Sequence, residues 1–162
     1  MAESEPTTDT AGVVAPPPLL FLGFLVVGLG LDWLLPGRLW PVDPGWPWRW
    51  LVAAVSILGA LLLALAAERS FRAVGTDVRP WRPSTALARS GPYRFTRNPM
   101  YLGLVVILAA IAIGSDGPWL LLQVPLLMLV LQHGVIRREE AYLERKFGDD
   151  YRRYKAAVRR WL

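Results

Sequence analysis

Two polar strings in this chain carry residue types that do chemistry rather than span a membrane. The first, Gly91 to Gly103, reads GPYRFTRNPMYLG and stands where an arginine-rich stretch meets an apolar run. The second, Glu139 to Tyr154, reads EEAYLERKFGDDYRRY and follows another apolar run. Arg97 suits a carboxylate through charge-assisted hydrogen bonds. A helix beginning at Asn98-Pro99 would add free N–H groups and a positive dipole end for the same anion. Glu139 and Glu140 suit an ammonium or hydroxyl groups. The faces of Tyr93 and Tyr101 suit a sulfonium or another soft cation by cation–π attraction. Each string also has a plain structural reading. Asn is a good helix cap and Pro is favoured at the first helical position. An acidic pair flanked by Arg137 and Arg138, with Glu140 and Glu144 four residues apart, is ordinarily a solvated helix face. For an acceptor that must lose a proton, Glu140 is the least poor general base in the chain, and Arg97 and Arg137 are the other candidate catalytic residues.

The elements that must position these residues are apolar blocks: Leu19–Leu35, Trp50–Ala67, Met100–Ile113 and Trp119–Ile136. The second, at the helical rise, spans roughly 27 Å, about one hydrocarbon core. With 54% hydrophobic residues gathered in blocks over 162 residues, the chain reads as an all-α integral membrane protein. Four transmembrane helices form two hairpins, over about 19–35, 50–67, 99–114 and 119–136. Residues 1–18, rich in Thr, Ala and Pro, are expected to form a disordered tail. The first seventeen residues contain no Lys or Arg, so the first block is read as a retained span rather than a signal peptide. Residues 19–162 then form a single domain.

Charge orients the spans. Seven Arg lie between Glu68 and Pro99 and nine basic residues between Arg137 and Leu162, out of 18 Lys and Arg in all. By the positive-inside rule both termini and the central loop are cytoplasmic. The opposite loop, Pro36–Arg49, has four prolines and three tryptophans, a composition suited to an interfacial belt. Orientation explains the arginines, so nucleic acid is not an expected partner, and the lipid bilayer is. No cysteine is present, which excludes thiolate metal ligands and a catalytic Cys. With one histidine, His133, no metal site is expected.

Smaller elements follow from spacing. Leu143, Phe147, Tyr151, Tyr154, Val158 and Trp161 share one face at the 3.6-residue period, which predicts an amphipathic helix over about 137–161. That helix serves either as a surface anchor or as a wall over a pocket. Ser84 is a cap for a short helical turn over Ser84–Ala88. Pro125 predicts a kink in the fourth span. Asp32, an acid within the first span, is a functional candidate by default.

The two strings together resemble the isoprenylcysteine carboxyl methyltransferase family and its relatives, the phospholipid N-methyltransferases. The portions that carry the resemblance are TALxxSGPYRFTRNPMYLG and EExxLxxxFGxxYxxY, in order, with one hydrophobic hairpin between them. The resemblance covers roughly Gly75 to Leu162. It implies S-adenosylmethionine as cofactor, held in a cytoplasmic pocket by Thr85, Ala86, Leu87, Ala88, Tyr93, Asn98, Pro99, Met100, Tyr101 and Glu139. The implied activity is methyl transfer to a lipophilic or small-molecule acceptor, with a carboxylate slightly favoured. N- or S-methylation within the same superfamily is the nearest alternative. An NADPH-dependent sterol-reductase-like protein and a non-enzymatic membrane scaffold are the others. Eukaryotic members carry His where this chain has Asn98, which hydrogen-bonds but does not titrate. The absence of a Gly-rich turn after a strand excludes a Rossmann-type methyltransferase.

Overall fold

The computed structural model describes residues 9–40, 47–77, 79 and 82–162. Residues 1–8 of the expected tail, and Pro41, Pro44 and Trp46 of the Pro36–Arg49 loop, lie outside the described residues. All regular elements among the described residues are helical, apart from one isolated β-bridge between Thr96 and Arg159. In order they are α1 (Pro17–Leu34), α2 (Trp48–Ala73), a 3-10 turn (Gly91–Arg94), α3 (Pro99–Ser115), α4 (Pro118–Leu131), a π-helical turn (Gln132–Ile136), α5 (Arg137–Phe147) and α6 (Asp149–Ala157).

Among the described residues three helices are long and apolar enough to cross a membrane: α1, α2, and the continuous helix from α4 through the π turn to the end of α5. α3 has 17 residues and is equally apolar in character. α3 packs against both α2 and α4, and α4 packs against α1. Small residues set how closely α2 and α3 approach. Ala53, Ala60 and Ala67 recur every seventh residue on the buried face of α2. A Cβ on Gly103 would stand 3.4 Å from the Ala60 carbonyl, and one on Gly114 would stand 3.2 Å from the Ala53 methyl. Without a hydrophobic gradient between helix and lipid, such close backbone approach is what holds helices together. The larger core lies on the other side of α3, where Val105, Leu108 and Ala112 meet Leu120, Leu127, Leu131, Val135 and Ile136. The outward faces of α1 and α2 expose Leu, Val and Trp in quantity, more apolar surface than a water-soluble monomer presents.

Several expectations are corrected. α2 extends beyond Ala67 for about two further turns, ending in an exposed Glu68–Arg72 pair. Ser84–Ala88 is not helical. Instead Thr85 N–H donates to Thr76 Oγ1 at 2.9 Å, and Ser84 N–H to the Tyr142 hydroxyl at 3.0 Å. The tail is not one helix over 137–161. It breaks at Gly148, whose φ of +54° favours glycine, and helix ends at Ala157. Beyond it the chain runs back as an extended strap: Arg97 N–H donates to the Arg159 carbonyl at 2.9 Å. Asp32 caps a neighbour, its two carboxylate oxygens accepting the Trp119 and Leu120 N–H groups at 2.9 and 3.1 Å. These are orphan donors in the first turn of α4.

Candidate active site

The helix order brings the two polar strings to one end of the bundle. Pro99 opens α3, and Asn98 occupies the cap position without its side chain bonding the helix. Asn98 Nδ2 donates instead to the Arg160 carbonyl at 2.8 Å, and Thr96 Oγ1 donates to the same carbonyl at 3.2 Å. The start of α3 is thus stitched to the C-terminal strap. Gly91 takes φ +58°, which turns the loop so that Tyr93 tucks under α2. There its ring meets Phe71 edge-on at 5.3 Å between centroids. Across from α3, the π turn leads into α5, which carries Glu139 and Glu140.

A pocket forms between these pieces. The first string contributes Tyr93, Arg97, Asn98, Met100 and Tyr101, and the second contributes Glu139, Glu140, Leu143, Tyr151 and Tyr154. Ala86, Leu87 and Ala88 line it from the loop. Of the other residues singled out from the sequence, Thr85 turns its hydroxyl to the Gly75 carbonyl at 3.0 Å. Pro99 is fully buried within the helix start. Arg137 is exposed and not part of the lining. Sequence reasoning missed Ala11, Phe71, Asp77, Arg79 and Tyr142, all of which line the pocket. Tyr142 had a readable signal, since it stands three residues from Glu139. Ala11 had none.

The acidic pair is not a solvated cluster. Glu140 is 6% exposed. Its two oxygens accept Arg160 Nε at 2.9 Å and Nη2 at 2.7 Å, and Arg97 Nη2 lies 3.2 Å from Oε1. Two guanidiniums thus engage one carboxylate. Glu139 is different: Tyr101 donates its hydroxyl to Oε1 at 2.5 Å, and Glu139 lines the pocket without a cation paired to it among the ion pairs of the described residues. Burial pushes the Tyr154 phenol up to about 12, and burial first, then the Glu139 charge, raises Tyr93. Both stay protonated at neutral pH, as donors rather than bases. Tyr154 spends its hydrogen on the Tyr93 carbonyl at 2.8 Å.

The N-terminal segment closes another side. Ala11 is buried against the pocket. Arg138 Nη1 donates to the Gly12 carbonyl at 2.8 Å, and Val14 N–H donates to the Gly134 carbonyl in the π turn at 3.1 Å. Tyr142 donates to Asp9 Oδ1 at 3.1 Å, and Lys146 Nζ donates to Oδ2 at 2.6 Å. No group of three or more His, Cys, Asp or Glu placed to hold a metal occurs among the described residues.

A bundle of membrane-length helices with a polar, ion-paired pocket at one end is the architecture of a membrane protein. Residues 48–150 match the phospholipid methyltransferase family model, and the chain belongs to that family. The chain is also similar to an uncharacterized protein of Haemophilus influenzae, 52% identical over 65 residues, which is 39% of this chain and the whole length of the relative. The family suggests a membrane methyltransferase.

Proposed function

We propose that this chain is a membrane-embedded methyltransferase using S-adenosylmethionine, of the isoprenylcysteine carboxyl methyltransferase type within its superfamily. It transfers a methyl group to a lipophilic or small-molecule acceptor, with a carboxylate favoured. One observation carries the reading: a single pocket holds an unneutralised carboxylate, Glu139, and a partly unpaired buried guanidinium, Arg97, between tyrosine rings. That donor set fits the amino-acid end of S-adenosylmethionine. Arg97 and the start of α3 suit its carboxylate, Glu139 its ammonium, and Tyr93 and Tyr101 its sulfonium. The bound cofactor supplies an activated methyl group, and the chain's own residues orient it and exclude water, which is where positioning contributes to rate.

The fate of the acceptor's proton favours an acceptor that has none to lose. Glu139 is assigned to the ammonium of the cofactor, Glu140 is engaged by Arg97 and Arg160, and the phenols of Tyr93 and Tyr154 are held protonated. A carboxylate needs no base. Membership of the phospholipid methyltransferase family favours the second reading, methylation of a phospholipid, for which an amine would have to enter already deprotonated. We further propose that α3 is the fourth span, that residues 19–162 act as one domain, and that both termini and the pocket face the cytoplasm, as the arginine distribution requires. The acceptor would then enter from the bilayer and the cofactor from water.

Calorimetric titration of detergent-purified protein with S-adenosylhomocysteine tests the assignment, beside Glu139→Ala and an NADPH control. The expected result is saturable binding that Glu139→Ala weakens. Binding of NADPH in its place would assign the pocket to a reductase, and binding of neither by folded protein would leave a scaffold.

A further inference from the structure

Arg97 is 9% exposed at its side chain and faces the pocket. Its Nη2 is within 3.2 Å of Glu140, but its Nε and Nη1 are buried and have no hydrogen-bond partner in the protein. A buried donor left unmade is costly, and two on one cation that lines the pocket leave Arg97 with hydrogen-bonding capacity that Glu140 does not use. A single carboxylate facing a single guanidinium would cancel its charge. Here it does not, because a second guanidinium arrives from the far end of the chain. Arg160 grips both oxygens of Glu140, at 2.9 and 2.7 Å. The strap that delivers it is fixed at three points: Arg97 N–H on the Arg159 carbonyl, Thr96 and Asn98 side chains on the Arg160 carbonyl, and Trp161 Nε1 on Gln132 Oε1 at 2.9 Å.

We propose that Arg160 is a positioning residue that engages Glu140 so that Arg97 keeps net positive charge toward a carboxylate bound in the pocket. The inference rests on the methyltransferase reading, which supplies two such carboxylates: the amino-acid end of the cofactor and an acidic acceptor head. Without Arg160, Glu140 is free to pair fully with Arg97 and quench it. A planar guanidinium holds both carboxylate oxygens in one fixed arrangement, and an ammonium does not.

The test measures selectivity rather than affinity alone. Full-length protein in detergent is titrated with S-adenosylhomocysteine and with its decarboxylated form, which keeps the ammonium. A second pair, oleate and oleyl alcohol, is titrated with and without saturating S-adenosylhomocysteine. Arg160→Gln is expected to weaken one carboxylate ligand by about tenfold while its counterpart without the carboxylate changes less than about twofold, the scale of one charge-assisted contact. Loss in the nucleoside pair assigns the carboxylate to the cofactor, and loss in the oleyl pair assigns it to the acceptor. Arg160→Lys, which keeps the charge, is expected to restore part of the selectivity, and it serves as the working variant if Arg160→Gln does not fold. Equal losses for the ligands with and without the carboxylate, or no loss in either pair, would overturn the proposal. Wild-type protein that binds neither nucleoside defeats the methyltransferase reading instead, and the oleyl pair still decides the role of Arg160.

Discussion

Tyr101 donates its hydroxyl to Glu139 Oε1 at 2.5 Å, across 38 positions of sequence. The bond joins the first turn of α3 to α5 and fixes a carboxylate at the pocket wall. It leaves the second oxygen of Glu139 available to a ligand cation.

Removing that carboxylate should separate binding from folding. Glu139→Ala is expected to weaken S-adenosylhomocysteine by about 10- to 100-fold, the scale of a hydrogen bond to a charged group. Tyr101→Phe keeps the charge and loses only its orientation, so a smaller loss is expected. Calorimetry on both variants checks the order, and a larger effect for Tyr101→Phe would contradict it.

The N-terminal strap should come free in acid. Lys146 donates to Asp9, and this hydrogen bond above all holds the Asp9 carboxyl below its usual 3.8, with Tyr142 adding to the effect. The folded value lies below the unfolded one, so the contribution is fully present above 3.8 and is lost as pH falls through the lowered value. Amide shifts of Gly12 and Val14, followed downward from pH 6, should titrate in the wild type. They should stay flat in Asp9→Asn. An unchanged titration in that variant would assign the transition to another group.

Gly91 is needed for its backbone. Its φ is +58°, and a Cβ there would stand 2.7 Å from Ser70 Oγ. Gly91→Ala is expected to destabilise the fold by at least about 1–2 kcal/mol from the left-handed conformation alone. Adding Ser70→Gly relieves the collision but not the backbone term, so only part of the loss should return. Thermal unfolding of the single and double variants measures both parts, and full recovery in the double variant would refute the backbone argument.

Asp32 lies at the other end of the bundle and should matter only for stability. Its carboxylate caps α4 from a neighbouring helix, a role worth about 0.5–2 kcal/mol when a capping side chain is lost. Asp32→Ala is therefore expected to lower the unfolding temperature while leaving ligand affinity unchanged. A selective loss of binding at unaltered stability would show that Asp32 acts on the site.

Local patterns made much of the protein legible. The apolar blocks announced α1, α2, α3 and α4, because a helix in lipid must be apolar along its length to satisfy its surroundings. The strings around Tyr93–Tyr101 and Glu139–Tyr154 announced which residues meet, since both stand at helix ends on one side of the charge asymmetry. The 3.6-residue stripe placed Tyr151 and Tyr154 on one face, and both line the pocket. The stripe failed at Val158 and Trp161, because periodicity does not register the break at Gly148 or the change to extended backbone after Ala157.

What only the tertiary structure decided was the pairing of groups distant in sequence. From the sequence, Glu139 and Glu140 are two adjacent acids, alike in type and neighbours. In the fold, one meets a phenol and the other two guanidiniums, because successive residues on a helix point in directions about 100° apart. Asn98 reads as a helix cap, yet its amide is drawn to the strap by the Arg160 carbonyl. Asp32 reads as a lone acid in a span, yet it serves the start of α4. Composition and spacing determine which helices form and which end of the bundle is charged, since those depend on each segment and its solvent. Which polar group satisfies which is settled only when the helices pack, because in a low-dielectric interior each buried charge must find the partner that geometry brings to it.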